Sequence, residues 1–330
     1  MTDILIYGAG AIGSFLGYIL SEGSEAIASE IENVALLGRE GHIKKIKEEG
    51  LKIDLPESEK LVRFKNCFSG PDDLLASDFY PQMVIVCVKT YSLPALCREL
   101  SASGLLQERL KSALFILLMN GMGNREAFES FGIHDSRLIE GITSMGVKFS
   151  EDGHIELKGR GKTVMEDKIG AEMAKFLKAR FSEKGFDIEF AGDFRVQQWN
   201  KLFINCVINP ITALTRQENG IVLSLPLQKT VQNIIEEAVG LAAKEGIATD
   251  EKNVLDIVYS VAGKTACNTS SMLQDVLKGR TTEIDSINGY IIARAKKHDM
   301  KVPVNEALLA LVKSGSSGKT GMKAEMICNQ

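Results

Sequence analysis

The chain is poor in the residues that build metal centres and disulfide frameworks. It has 6 cysteines and 4 histidines in 330 residues. Cys67, Cys87, Cys97, Cys206, Cys267 and Cys328 form no CxxC pair and no metal-like spacing with the histidines. Reduced thiols in a cytoplasmic protein, with no metal site, are therefore expected. No apolar run reaches the ~20 residues of a bilayer span. The opening MTDILIYGAGAIG has no basic segment ahead of an apolar one, so no signal peptide is expected. An excess of positive charge is missing too. The net charge of −4 gives no reason to expect nucleic acid or an anionic membrane as partner. Internal repeats are absent. What is present is the balance of a globular protein, 45% hydrophobic and 25% charged, with length for roughly two domains.

The first part alternates strand and helix patterns. DILIYG, NVALLG, MVIVCVK and ALFILLMNG are short apolar strands, and REGHIKKIKEEG between them is an amphipathic helix. Continuous apolar strands belong in a parallel sheet covered on both faces. The alternation predicts an open, doubly wound α/β domain. EDGH marks a hairpin, and DIEFAGD closes the sheet. After about residue 193 strand signals nearly vanish. Helical patterns cover 194–214 with a break at Pro210, then 225–244, 251–266, 271–278, 284–297 and 304–312. This divides the chain into a nucleotide-binding domain, 1–192, and an all-helical domain, 193–330. The tail SGSSGKTGMKAEMICNQ begins as a flexible Gly/Ser segment.

Gly8-Ala9-Gly10-Ala11-Ile12-Gly13 matches G-x-G-x-x-G and lies between a strand and a helix, the context that gives the motif meaning. Gly8 makes the tight turn, Gly10 lets backbone approach a pyrophosphate, and Gly13 lets helix pack on strand. The alternative is an ordinary strand–turn–helix junction. At the end of the second strand an NAD site usually has Asp or Glu for the ribose 2′-hydroxyl. LLGRE has Gly38 there, followed by Arg39, whose guanidinium suits a 2′-phosphate and so NADP(H). Glu40 beside it and a solvated-charge role for Arg39 weigh the other way.

Lys89 and Asn120 end two strands, at the sheet edge where such folds bind ligands. Either can equally be a surface residue. In WNKLFINCVINPITAL, Lys201, Asn205 and Asn209 recur every fourth residue and form one stripe on an otherwise apolar helix. In NTSSMLQD, Asn268, Ser270 and Ser271 precede a helix; Ser271 to Gln274 has capping-box spacing, and the cluster also suits a carboxylate site. Glu283 reads as a first-turn acid. His42 and His298 look like helix-surface residues, and His154 sits in a turn.

Taken in order, GAGAIG, LLGREGHIKKIKEEGLKI, VCVKTY, MNGMGN, WNKLFINCVINPITAL and NTSSMLQDVLKGRTTEIDSINGYIIARAKKHDMKVP resemble the ketopantoate reductase (2-dehydropantoate 2-reductase) family, over residues 4 to about 312. The resemblance implies a Rossmann domain followed by a helical domain of the 6-phosphogluconate dehydrogenase type, with the active site in the cleft between them. It implies NADPH-dependent reduction of 2-dehydropantoate to pantoate, in pantothenate biosynthesis. By position it implies Lys201 as catalytic lysine and Glu283 as active-site acid. It implies Asn205, Asn209 and Ser271 as substrate residues, with Asn268 in the same motif. Lys89 and Asn120 match polar residues near nicotinamide and substrate, and Arg39 the 2′-phosphate arginine.

A fixed ammonium at Lys201 would stabilise charge on the ketone oxygen and supply the proton. Glu283 would favour the charged lysine. The amides of Asn205 and Asn209 would fix orientation. Two other readings stand beside this one: an NADP-dependent reductase of another 2-keto acid, and an NADPH-binding regulator without turnover. For assembly, a homodimer through the helical half is compatible with the sequence.

Overall fold

The structure, a computed structural model, describes residues 2–22 and 30–316. The chain folds as two compact units. One holds Met1–Met119 and Asn124–Phe194, the other Asn120–Gly123 and Arg195–Gln330.

The first unit contains every described strand: β1 Ile4–Tyr7, β2 Ile31–Leu37, β3 Leu51–Leu55, β4 Ser58–Val62, β5 Phe64–Phe68, β6 Met83–Val86, β7 Leu114–Leu117, β8 Leu138–Thr143, β9 Gly146–Glu151, β10 His154–Gly159, β11 Thr163–Glu166 and β12 Ile188–Ala191. Eight form one sheet in the order β12-β11-β8-β7-β6-β1-β2-β5. The six from β8 to β5 are parallel, and β11 runs antiparallel to β8. Side chains alternate between faces along a strand. Accordingly Ile4 and Ile6 join one core cluster with Leu36 and Ile85, while Leu5 and Tyr7 join another with Ala35, Val84 and Phe115. Each fully buried Ile or Leu of this kind contributes about 1.5–3 kcal/mol. This is the doubly wound α/β domain that the apolar strands imply. The hairpin at EDGH is β9–β10, and DIEFAGD supplies the edge strand β12.

A second sheet, β4-β3-β10-β9, has little signal in the sequence. The parallel pairing of β10 with β3 aligns Ile155 with Ile53, and both are fully buried. LKIDL and SEKLV are short and half polar, so their apolar signal is weak.

The second unit has no strand among its described residues. Its helices are Phe194–Thr215, Gln228–Lys244, Glu251–Lys264, Ser271–Leu277, Asn288–Lys297 and Pro303–Ser316. Trp199, Phe203, Val207, Ile234, Ala238, Val258 and Ile291 meet in its core. Three expectations need correction. First, Pro210 does not break the first helix, which runs unbroken to Thr215. Proline removes the N–H that would serve the Cys206 carbonyl. That carbonyl instead accepts from Asn288 Nδ2 at 3.0 Å. Second, the helix expected over 284–297 is split into a 3-10 turn, Ile284–Ser286, and the helix Asn288–Lys297. Third, the last helix extends to Ser316, with Lys313 paired to Asp285 at 2.6 Å, so the start of the Gly/Ser segment is helical. The rest of that tail, 317–330 with Cys328, lies outside the described residues, as does 23–29.

Candidate active site

The fingerprint occupies the junction of β1 and the helix Ala11–Leu20. Gly8 has φ +101°, and a Cβ there would come within 2.8 Å of Val88. A Cβ on Gly13 would lie 2.3 Å from the Gly8 carbonyl oxygen, so helix and turn touch through glycine. Gly10 faces open space, with no atom within 4 Å of its missing Cβ. The Gly8 and Ala9 N–H groups both donate to the Leu37 carbonyl at 2.9 Å, which ties the turn to β2. Ala11 begins the helix, and Ile12 packs partly buried against the core. Hydrogen bonding inside the helix starts with Ser14 N–H to Gly10 O. The preceding helical N–H groups are therefore available to an anion.

The absence of an acid after β2 has a steric counterpart. A Cβ on Gly38 would lie 3.1 Å from the Ala9 Cβ and 3.2 Å from its carbonyl oxygen. Any side chain at 38 crowds the fingerprint loop. Arg39 is exposed, stands at the N-terminal boundary of the helix Glu40–Glu49, and lies 5.1 Å from the Phe149 ring centroid. Such stacking holds a guanidinium in place. Lys89 follows β6 and opens the 3-10 turn Thr90–Ser92.

His42 is not a surface residue. It is fully buried, its Nδ1 accepts from the Gly153 N–H at 2.9 Å, and its Nε2 lies 3.0 Å from Ser14 Oγ. An accepting Nδ1 puts the proton on Nε2, which donates to the serine. Burial pushes its pKa down to about 4, with Asp152 opposing. His42 thus joins the fingerprint helix, the Arg39 helix and the β9–β10 hairpin. Neither it nor Phe149 is marked by the sequence, because their partners are distant along the chain: His42 meets Ser14 and Gly153, and Phe149 meets Arg39.

The second unit assembles three of the expected residues. Lys201 Nζ donates to Asn120 Oδ1 at 3.1 Å, and Asn120 Nδ2 donates to Glu283 Oε2 at 3.0 Å. One neutral amide therefore bridges an ammonium and a carboxylate, using its acceptor for one and its donor for the other. Glu283 is buried, and Lys201 is partly buried on its helix. Burial lowers the lysine pKa to about 8, while the Glu283 charge acts to raise it.

Asn120 owes its place to Gly121. That residue has φ +73°, and its missing Cβ would lie 2.4 Å from the Ser286 carbonyl oxygen. The next N–H, of Met122, donates to that same carbonyl at 3.1 Å. Ser286 Oγ donates in turn to the Glu283 carbonyl at 3.0 Å. The NGMG loop is thereby clamped to the turn that carries the acid. The two glycines of NGMG were the only signal of this in the sequence.

Asn205 and Asn209 continue the Lys201 stripe, and their side chains hydrogen-bond no described residue. Ser271 is exposed and occupies the first position of its helix. The cap is its neighbour Ser270, whose Oγ accepts from the Leu273 N–H at 3.1 Å. The capping-box pairing of Ser271 with Gln274 is therefore not formed, and Gln274 Nε2 donates to the Thr269 carbonyl instead. Ser270 is pulled inward by Thr212, at 2.6 Å between hydroxyl oxygens. Asn268 is exposed in the preceding loop.

Comparison with known proteins gives a consistent result. Residues 4–169 match the family described as Ketopantoate reductase PanE/ApbA, and residues 193–316 match its C-terminal domain. The chain is 32% identical to the 2-dehydropantoate 2-reductase of Pyrococcus horikoshii, over 97% of this chain and 99% of that one. A PanE/ApbA family ketopantoate reductase from Ralstonia eutropha superposes with a TM-score of 0.82 at 26% identity, covering 96% of this chain and 99% of its own. A D-mandelate dehydrogenase solved with NADH and anilino(oxo)acetate shares the fold, with a TM-score of 0.82 at 24% identity and the same coverage. The chain is an oxidoreductase that works with a nicotinamide dinucleotide, and it belongs to the ketopantoate reductase family.

Proposed function

We propose that the protein reduces 2-dehydropantoate to pantoate with NADPH, as a cytoplasmic enzyme. The observation that carries this reading is the Lys201–Asn120–Glu283 chain, with the lysine pKa lowered to about 8. The domain at 1–192 would hold the cofactor and the one at 193–330 the substrate. The open space at Gly10 and the first-turn N–H groups, which no described residue accepts, suit a pyrophosphate. Arg39, beside a position where a side chain would press on Ala9, suits a 2′-phosphate. Lys89 would add charge near the nicotinamide. The bound dinucleotide supplies the hydride.

Negative charge grows on the ketone oxygen as the C2 carbon is reduced. Lys201 stabilises that charge and delivers the proton. Asn120 fixes the direction of the ammonium, and Glu283 keeps it charged. Asn205 and Asn209, with amides that no described residue engages, orient the substrate. Ser271 receives the carboxylate, its hydroxyl left available because Ser270 makes the cap, and Asn268 lies in the same loop.

NADPH oxidation measured with 2-dehydropantoate against a panel of other 2-keto acids tests the assignment. A clear preference for 2-dehydropantoate is expected. Preference for another acid would reassign the substrate, and NADPH binding without turnover on any would reassign the protein as a sensor.

A further inference from the structure

Pro210 lies one residue beyond Asn209, inside the helix that carries Lys201 and both asparagines. In a regular helix residue 210 would donate to the carbonyl of Cys206. Proline cannot, so a buried carbonyl on the site-bearing helix needs a donor from elsewhere. Asn288 provides it, at 3.0 Å, from a fully buried position. The same Nδ2 donates to Asn305 Oδ1 at 2.9 Å. Asn305 Nδ2 donates to Glu237 Oε2 at 2.8 Å, and the Glu237 carboxylate also accepts the N–H groups of Val304 and Asn305. The amide is thus braced by two further helices.

Asn288 also sits in a particular place along the chain. It opens the helix Asn288–Lys297, and only Ile287 and the 3-10 turn Ile284–Ser286 separate it from Glu283. That turn is the one clamped to Gly121 and Met122. A second link acts on the far side of the proline, where Thr212 Oγ1 meets Ser270 Oγ beside Ser271.

We infer that Asn288 is a positioning residue for the reduction: through the carbonyl that Pro210 leaves open, it holds the Glu283 turn in register with the Lys201 helix. The inference rests on Lys201 and Glu283 being the reacting pair. It goes beyond a packing role because the open carbonyl and the proline form a matched set. Ala at 210 would restore the N–H and make the Asn288 donor dispensable.

The test compares the full chain as wild type, Asn288→Ala, Pro210→Ala and the double variant. The readouts are NADPH oxidation with 2-dehydropantoate across pH, and the urea midpoint. Asn288→Ala is expected to lower kcat by about tenfold and to move the alkaline limb of the profile to lower pH, as Glu283 loses its hold on the lysine charge. The KM for NADPH should stay within about twofold. In the Pro210→Ala background the same substitution should cost clearly less kcat and urea midpoint than in the wild type, the remaining stability loss being that of the Asn305 bond, and the limb should return. Equal losses in both backgrounds, an unmoved limb in Asn288→Ala, or a double variant that does not fold would each overturn the inference. Near-normal turnover of Lys201→Ala would instead remove the assignment of the reacting pair. The coupling of Asn288 to Pro210 in the urea midpoint would remain measurable in that case.

Discussion

Lys201 answers opposing demands. Burial disfavours its ammonium, yet a proton donor must carry the proton when the ketone is reduced. With the pKa lowered to about 8, about nine-tenths of the lysine is charged at pH 7. If Lys201 is the proton donor proposed above, its charged form is the active one, and kcat/KM for reduction should be level below that value and fall about tenfold per pH unit above it. Lys201→Ala should lose that limb and about 10²–10⁴-fold in turnover, while NADPH binding persists. Glu283 favours the charged lysine, so Glu283→Gln should lower the lysine pKa further and shift the limb to lower pH. A limb that stays in place in Glu283→Gln would separate the acid from the lysine. The stripe itself was legible in the sequence, since Lys201, Asn205 and Asn209 share a helical azimuth. The bridging by Asn120 was not, because Asn120 lies 81 positions from Lys201 and 163 from Glu283.

Between elements, the clearest device is the buried imidazole of His42, which joins two helices and a hairpin. Its folded pKa of about 4 lies below the ordinary 6.5. Between these values the unfolded chain binds the extra proton, so stability rises with pH across the window. The contribution is complete above about pH 6.5 and is lost as pH falls toward 4. A shift of this size corresponds to something on the order of 3 kcal/mol. Urea midpoints at pH 7 and pH 4.5 should therefore differ less in His42→Gln than in the wild type. An identical acid-induced drop in both proteins would show that His42 is not the group responsible. The sequence concealed this residue because HIKKIKEE reads as amphipathic whichever way its polar start is turned. The parallel strands were plain because MVIVCVK and ALFILL are apolar throughout, as burial on both faces requires. Pro210 misled for a different reason. A proline inside a helix is destabilising in isolation, and the compensating donor comes from 82 positions past Cys206.

For the whole molecule, the charge balance bears on how the cofactor is chosen. A chain of net charge −4 does not attract a dinucleotide by its overall field, and NADPH carries more negative charge than NADH. The preference for NADPH proposed above would then come from a local cation, and Arg39, just past the end of β2, is the proposed one. A charge-assisted hydrogen bond of this kind contributes about 1.5–3 kcal/mol, or roughly 10- to 150-fold in affinity. Arg39→Ala should therefore weaken NADPH by about that factor and change NADH little. Arg39 is exposed, so its attraction is screened over about 8 Å at 0.15 M salt. The NADPH-to-NADH affinity ratio of the wild type should accordingly fall as salt is raised, while that of Arg39→Ala should stay nearly flat. Thermal shifts with each cofactor report the same ratio, because a ligand bound only by the folded protein stabilises it by RT ln(1 + [L]/Kd). Equal losses for both cofactors in Arg39→Ala, with a salt-independent ratio in the wild type, would place the 2′-phosphate elsewhere on the nucleotide unit.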